Sequence, residues 1–194
     1  MRLVLASSSP RRKDLLDVLE LEFTAIPAEI DETRLPDEAP AAYVERVARA
    51  KAAEVAAPGL VVIGCDTTVV HDGRVMGKPG HPEEARAMLR RLEGSTHEVF
   101  TGVSVVGWSE ERVEHAAVDV TDVELVAMTD EEIADYVATG EPMDKAGSYA
   151  LQGLGGTYVK GIQGSPFTVI GMPIHLLPRM IRAVGGDPAS FRTG

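Results

Sequence analysis

Cysteine is all but missing from this chain. Cys65 stands alone among 194 residues, so no internal disulfide can form. No Cys/His cluster has zinc spacing, and the five histidines, at 71, 81, 97, 115 and 175, are scattered. Such cysteine usage fits a reducing cytoplasm. Aromatic residues are few, at 5%, with one tryptophan. Basic residues are also scarce: 19 against 30 acidic ones leave a formal charge of −11. That balance argues against a general duplex-DNA binder or an anionic-membrane binder. No apolar run reaches the ~18 residues of a spanning helix, and the start, MRLVLASSSPRR, has too short an apolar stretch for a signal peptide. With 44% apolar and 25% charged residues the chain has an ordinary globular composition, which excludes intrinsic disorder.

What is present interleaves strands and helices. Residues 2–6 read as a buried strand. Ser9 and Pro10 then start a helix, as N-cap and first helical residue, and Leu15, Leu16 and Leu19 form its buried stripe. Residues 28–38 are acidic and lack periodicity, which predicts a loop. A helix over 40–57 carries Val44, Ala48, Lys51 and Val55 along one inward face. Residues 60–64 predict a central strand ending at Cys65, Asp66 and Thr67. Asp72-Gly73 signals a hairpin, leading into the turn GKPG. Helices follow over 82–93 and over 130–139, the second opened by a Thr129/Glu132 capping box. Two β segments lie between them, over 98–107 and 113–127. After a glycine-rich stretch over 145–164, a strand is predicted over 167–172 and a helix over 174–184. The fold class is α/β with a mixed β-sheet flanked by helices. Residues 1–185 form a single domain, and 186–194 a frayed tail.

Four places can carry chemistry. In SSSPRR, the hydroxyls of Ser7, Ser8 and Ser9 and the guanidiniums of Arg11 and Arg12 meet a helix N-terminus. That is a ready phosphate site, because arginine donates paired hydrogen bonds to phosphate oxygens. The plain alternative is an N-cap with solvated arginines. Asp66 and Thr67 sit where α/β sheets bind ligands, so Asp66 is a candidate base or metal ligand, or simply a turn cap. Lys51 on an apolar stripe must meet an anion or reach solvent, and Lys78 is a loop lysine. In the glycine-rich stretch no Walker or dinucleotide motif occurs. Gln152 there can donate and accept, as reading a base edge requires.

Taken together, SSSPRRKDLL, YVERVARAKA, GCDTTVV, GKP, DKAGSYALQG and IGMP resemble the Maf family of nucleoside triphosphate pyrophosphatases. The motifs keep the family's order from about residue 3 to 184. The resemblance implies a Maf/ITPase-like fold of two lobes with a central cleft, commonly as a homodimer. It implies hydrolysis of a nucleoside triphosphate to the monophosphate and pyrophosphate with a divalent cation, Mg2+ or Mn2+. Asp66 matches the catalytic base, Lys51 and Lys78 the phosphate-side lysines, and Glu32 an acid near the centre. Glu29, Asp31 and Glu32 are candidate metal ligands, Glu32 the strongest, alongside Asp66. Arg11, Thr67 and Gln152 match the specificity positions of the dTTP/UTP subgroup. The alternatives are the 7-methyl-GTP subgroup and a regulatory protein of septum formation acting through a partner. Neither a nucleic acid nor a membrane is an expected partner.

The acidity is regional. Residues 110–144 hold twelve acids and one base, Arg112, and the remainder is neutral, with eighteen of each. The acidic stretch is expected to be a solvated face.

Overall fold

The computed structural model describes residues 1–193. In chain order the first elements are β1 (Arg2–Leu5), α1 (Pro10–Val18), β2 (Thr24–Ala25), α2 (Pro40–Val55), β3 (Leu60–His71) and β4 (Arg74–Met76). Next come α3 (Pro82–Leu92), β5 (Thr96–Trp108), β6 (Arg112–Leu125) and α4 (Asp130–Ala138). The chain then makes short 3-10 turns, β7 (Val159–Gln163), α5 (Pro166–Ile170) and α6 (Leu177–Ala183). Strand order is β2-β1-β3-β5-β6-β7, with β4 also on β3. Parallel and antiparallel pairs both occur, so the sheet is mixed, as the alternation of helix and hairpin signals predicts.

The described residues form two compact units. The first holds Met1–Asp66, Thr101–Asp119 and the chain from Gly171 onward. In it β1 runs parallel to both β2 and β3, with Val4 opposite Thr24 and Val62. Val4, Ala6, Ala52, Leu60, Val62 and Val106 make an apolar cluster there. The second unit holds Thr67–Phe100 and Val120–Ile170. In it β4 returns antiparallel on β3 through the Asp72-Gly73 turn, with His71 opposite Arg74. Both turn residues have positive φ, 48° and 72°, as this two-residue hairpin requires. β7 pairs antiparallel with β6, Val123 opposite Ile162. Leu89 and Leu92 of α3 pack with Ile133 and Val137 of α4 in this unit's core.

Several expectations need correction. Asp66 does not end its strand. β3 continues to His71, because Thr67, Thr68, Val69 and Val70 are β-branched and Val69 pairs with Met76 of β4. The segment expected as a strand over 167–172 is a helix over Pro166–Ile170, where Pro166 fits the first helical position. The last helix begins at Leu177, with turns before it. β2 and β7 were not legible, being two and five residues long. The tail is not frayed. Phe191 is buried, Glu22 N donates to Phe191 O at 2.6 Å, and Leu21 bridges to Arg192. The capping box of α4 is present in both directions, at Thr129 and Glu132.

Candidate active site

In the first unit two acidic side chains converge on Lys51. The inward face of α2 repeats at three and four residues, which places Ala48, Lys51 and Ala52 together against β3. On β3 a period of two puts Gly64 and Asp66 on one face. A Cβ on Gly64 would lie 2.3 Å from the Ala48 carbonyl oxygen, so only glycine lets the helix come this close. The close approach brings Lys51 Nζ within 2.9 Å of Asp66 Oδ1. Glu32, from the 28–38 loop, places Oε2 on the same nitrogen at 2.9 Å. Lys51 and Asp66 are buried, at 8% and 7% exposure, whereas the Glu32 side chain is about half exposed. Lys51 therefore meets anions and does not snorkel.

The loop bearing Glu32 is ordered by residues that the motif pattern did not single out. Arg46 binds both oxygens of Glu38, through Nε at 2.6 Å and Nη2 at 2.9 Å, and Nη2 also donates to Thr33 O. The Arg46 hydrogen bonds hold the Glu38 carboxyl down at about 2. Tyr43 Oη donates to Glu32 O at 3.1 Å. Burial raises the Tyr43 phenol above its ordinary value, and the negative charges of Asp66 and Glu32 add to this, so it stays protonated. A signal for Tyr43 was available: Tyr43, Val47 and Lys51 recur at four-residue spacing on one helix face. Asp31 instead closes its own turn, accepting from Thr33 N at 2.8 Å. Glu29 is exposed.

The serine-rich turn is built differently from the expected cap. Ser9 occupies the N-cap position of α1, but its side chain makes no capping bond. Ser7 is the organising hydroxyl. It is buried, and its Oγ accepts from Ser9 N and Arg12 Nη1, both at 3.2 Å. Arg12 also donates through Nε to Gly171 O at 2.8 Å. Ser8 is exposed and Arg11 half-buried. No acid lies in the first turn of α1, which leaves that end favourable to an external anion. Cys65, fully buried, has its thiol pushed up to about 11 by burial, which makes it a packing residue and no nucleophile.

The second unit holds Thr67, half-buried on β3, and Lys78 and Gln152, both exposed in loops. Gly147 N donates to Gly77 O at 3.1 Å, so the loop of Lys78 and the start of the glycine-rich stretch are joined. His97 is buried there with Nε2 2.8 Å from Tyr149 Oη, and their rings meet edge to face at 5.3 Å. Burial, with a smaller push from His71, lowers His97 to about 4, so it is neutral near pH 7 and structural.

A family model described as Maf-like protein matches residues 2–184. The chain belongs to the Maf-like protein family. A dTTP/UTP pyrophosphatase of Anaeromyxobacter dehalogenans (strain 2CP-C) is 50% identical over 185 residues, covering 95% of this chain and 94% of that protein. Another, of Koribacter versatilis, is 47% identical over 187 residues, covering 95% of each. A solved nucleoside-triphosphatase / dITP/XTP pyrophosphatase of Mycobacterium abscessus is 14% identical with a TM-score of 0.42, over 95% of each chain.

The Maf-like residues also permit a test of the implied cation. Among the described residues, no three His, Cys, Asp or Glu side chains group as a ready metal cage. Glu32 Oε2 and Asp66 Oδ1 nonetheless face one position, each 2.9 Å from the Lys51 ammonium. Hard carboxylate oxygens suit Mg2+, which takes one or two carboxylates and completes its shell with water and substrate phosphates. The donor set fits. No helix among the described residues is long and apolar enough to cross a membrane.

Proposed function

We propose that this chain hydrolyses dTTP and UTP to the monophosphate and pyrophosphate. The observation that carries the reading is the buried Lys51 joining Asp66 and Glu32, in a chain about half identical to proteins named dTTP/UTP pyrophosphatase. Water attacks the α-phosphorus, the bond to the bridging oxygen breaks, and pyrophosphate leaves. Asp66 takes the proton from the attacking water. Glu32 and Asp66 are the residues that would hold the divalent cation. When bound, that cation supplies charge neutralisation on the phosphates and orientation of the leaving group. Lys51 and Lys78 oppose phosphate charge, as do Arg11 and Arg12 with the hydroxyls of Ser7, Ser8 and Ser9. Thr67, Arg11 and Gln152 set base preference. The working form is a homodimer, each chain contributing one Maf-like domain over residues 1–185, and light scattering on the purified protein reads that state.

The test is a panel of triphosphates, including dTTP, UTP, 7-methyl-GTP and dATP, with pyrophosphate detection. Release from dTTP and UTP above the others is expected. Preference for 7-methyl-GTP, or no release at all, overturns the reading. Asp66→Asn should lower turnover by about a thousandfold or more with the fold intact by circular dichroism, as loss of a proton-transfer group does.

A further inference from the structure

Gln152 lies in a loop without regular structure, yet two side chains tie that loop down. Tyr136 comes from α4, and Glu141 from the 3-10 turn Glu141–Asp144 that follows. Tyr136 Oη accepts from Ala150 N at 3.1 Å and donates to Glu141 Oε1 at 2.8 Å. Glu141 Oε1 also accepts from Gly155 N at 2.9 Å, and Oε2 accepts from Leu154 N at 3.0 Å. The tied amides at 150, 154 and 155 bracket Gln152 on both sides. Gly153 completes the arrangement. Its φ of 125° and ψ of −156° suit glycine alone, and a Cβ there would lie 2.5 Å from Glu141 Oε2.

The chemistry of the tie is specific. One carboxylate receives a phenol and two backbone N–H groups, the charge-assisted class of hydrogen bond. Burial works against its charge, but the bonds from Gly155, Tyr136 and Leu154 outweigh burial and hold the Glu141 carboxyl below its ordinary value. It is therefore ionised at neutral pH. Tyr136, 3% exposed, is anchored in the core of the second unit, so the tie is fixed at its base. A glutamine amide presents a donor and an acceptor that can exchange places by rotation. It discriminates between base edges only when its backbone is held within a narrow range.

We propose that Tyr136 and Glu141 are positioning residues for base selection, holding the loop so that Gln152 meets the base in one orientation. The inference rests on the base-reading role of Gln152. The experiment compares the whole enzyme with Glu141→Gln, Tyr136→Phe and Gln152→Ala. It measures kcat/KM on dTTP and dATP, and amide hydrogen exchange along 150–155. Glu141→Gln keeps the side chain's size and turns one acceptor into a donor facing a donor. It should speed exchange at Leu154 and Gly155 about tenfold or more. The dTTP-over-dATP ratio of kcat/KM should fall about tenfold, mainly through KM for dTTP. Tyr136→Phe should free Ala150 and lower the ratio in the same sense. It keeps the ring packed, so it carries the comparison should Glu141→Gln fail to fold. Unchanged exchange overturns the tie itself. Faster exchange with an unchanged ratio, or an equal loss on both substrates, overturns the positioning role. If Gln152→Ala leaves the ratio unchanged, the base-reading role fails and the inference falls with it.

Discussion

A lysine on the inward stripe of a helix must be paired, and Lys51 is paired twice. Its two partners differ in environment. Asp66 is buried against the Lys51 ammonium, whereas the half-exposed Glu32 keeps much of its solvation. Lys51→Met should thus leave Asp66 as an uncompensated buried charge and destabilise the protein by about 3 kcal/mol. Urea denaturation followed by circular dichroism reads this loss. Turnover of dTTP should fall about a hundredfold as a phosphate-side cation disappears. Retained stability would show that Asp66 finds another partner. That Lys51 faces inward was legible from its spacing with Val44, Ala48 and Val55. Its partners were not legible, because Asp66 lies on a different element and Glu32 in a loop without periodicity.

At the scale of elements, the distance between α2 and β3 sets the geometry of this cluster. Gly64 lies under the helix backbone, 2.3 Å from Ala48 O and 2.7 Å from Ala52 N when a Cβ is placed on it. Gly64→Ala must push α2 outward, and overpacking of this kind costs about 1–3 kcal/mol. The same movement lengthens the Lys51–Asp66 contact, so activity should drop further than stability alone explains. Comparing residual activity well below the melting temperature with the thermal shift separates the two effects. The helices over 40–57, 82–93 and 130–139 were legible to within two residues, because each has a clear stripe and a defined start. The segment over 166–170 was not. Its β-branched run imitates a strand, and only Pro166 hints at a helix start.

Over the whole molecule, charge is distributed less simply than the composition implies. The acidic stretch over 110–144 is mostly solvated, but Glu114 pairs with Arg49 at 2.9 Å and Glu141 ties a loop. Acid should destabilise the protein partly through His97. Its value is about 6.5 in the unfolded chain and about 4 when folded. Between these values the unfolded chain binds the extra proton, so stability is complete above pH 6.5 and falls as pH drops toward 4. The shift corresponds to about 3 kcal/mol. Melting temperature measured from pH 7 to 4.5 should fall less steeply in His97→Gln than in the unsubstituted protein. Parallel slopes would remove His97 from the acid response.

The sequence by itself determined the mixed α/β class, the principal helices, the hairpin at Asp72-Gly73 and the membership that its ordered motifs signal. These follow from local periodicity, capping and turn chemistry, which act over a few residues. Tertiary structure alone decided that Lys51 bridges Asp66 and Glu32, and that Ser7 organises the serine turn in place of Ser9. It also decided that the tail is held by Leu21 and Glu22, and that Glu141 supports the Gln152 loop. Each of these contacts joins groups distant in sequence or competing for the same donor. Their outcome depends on how closely backbones approach and which polar groups burial forces to pair.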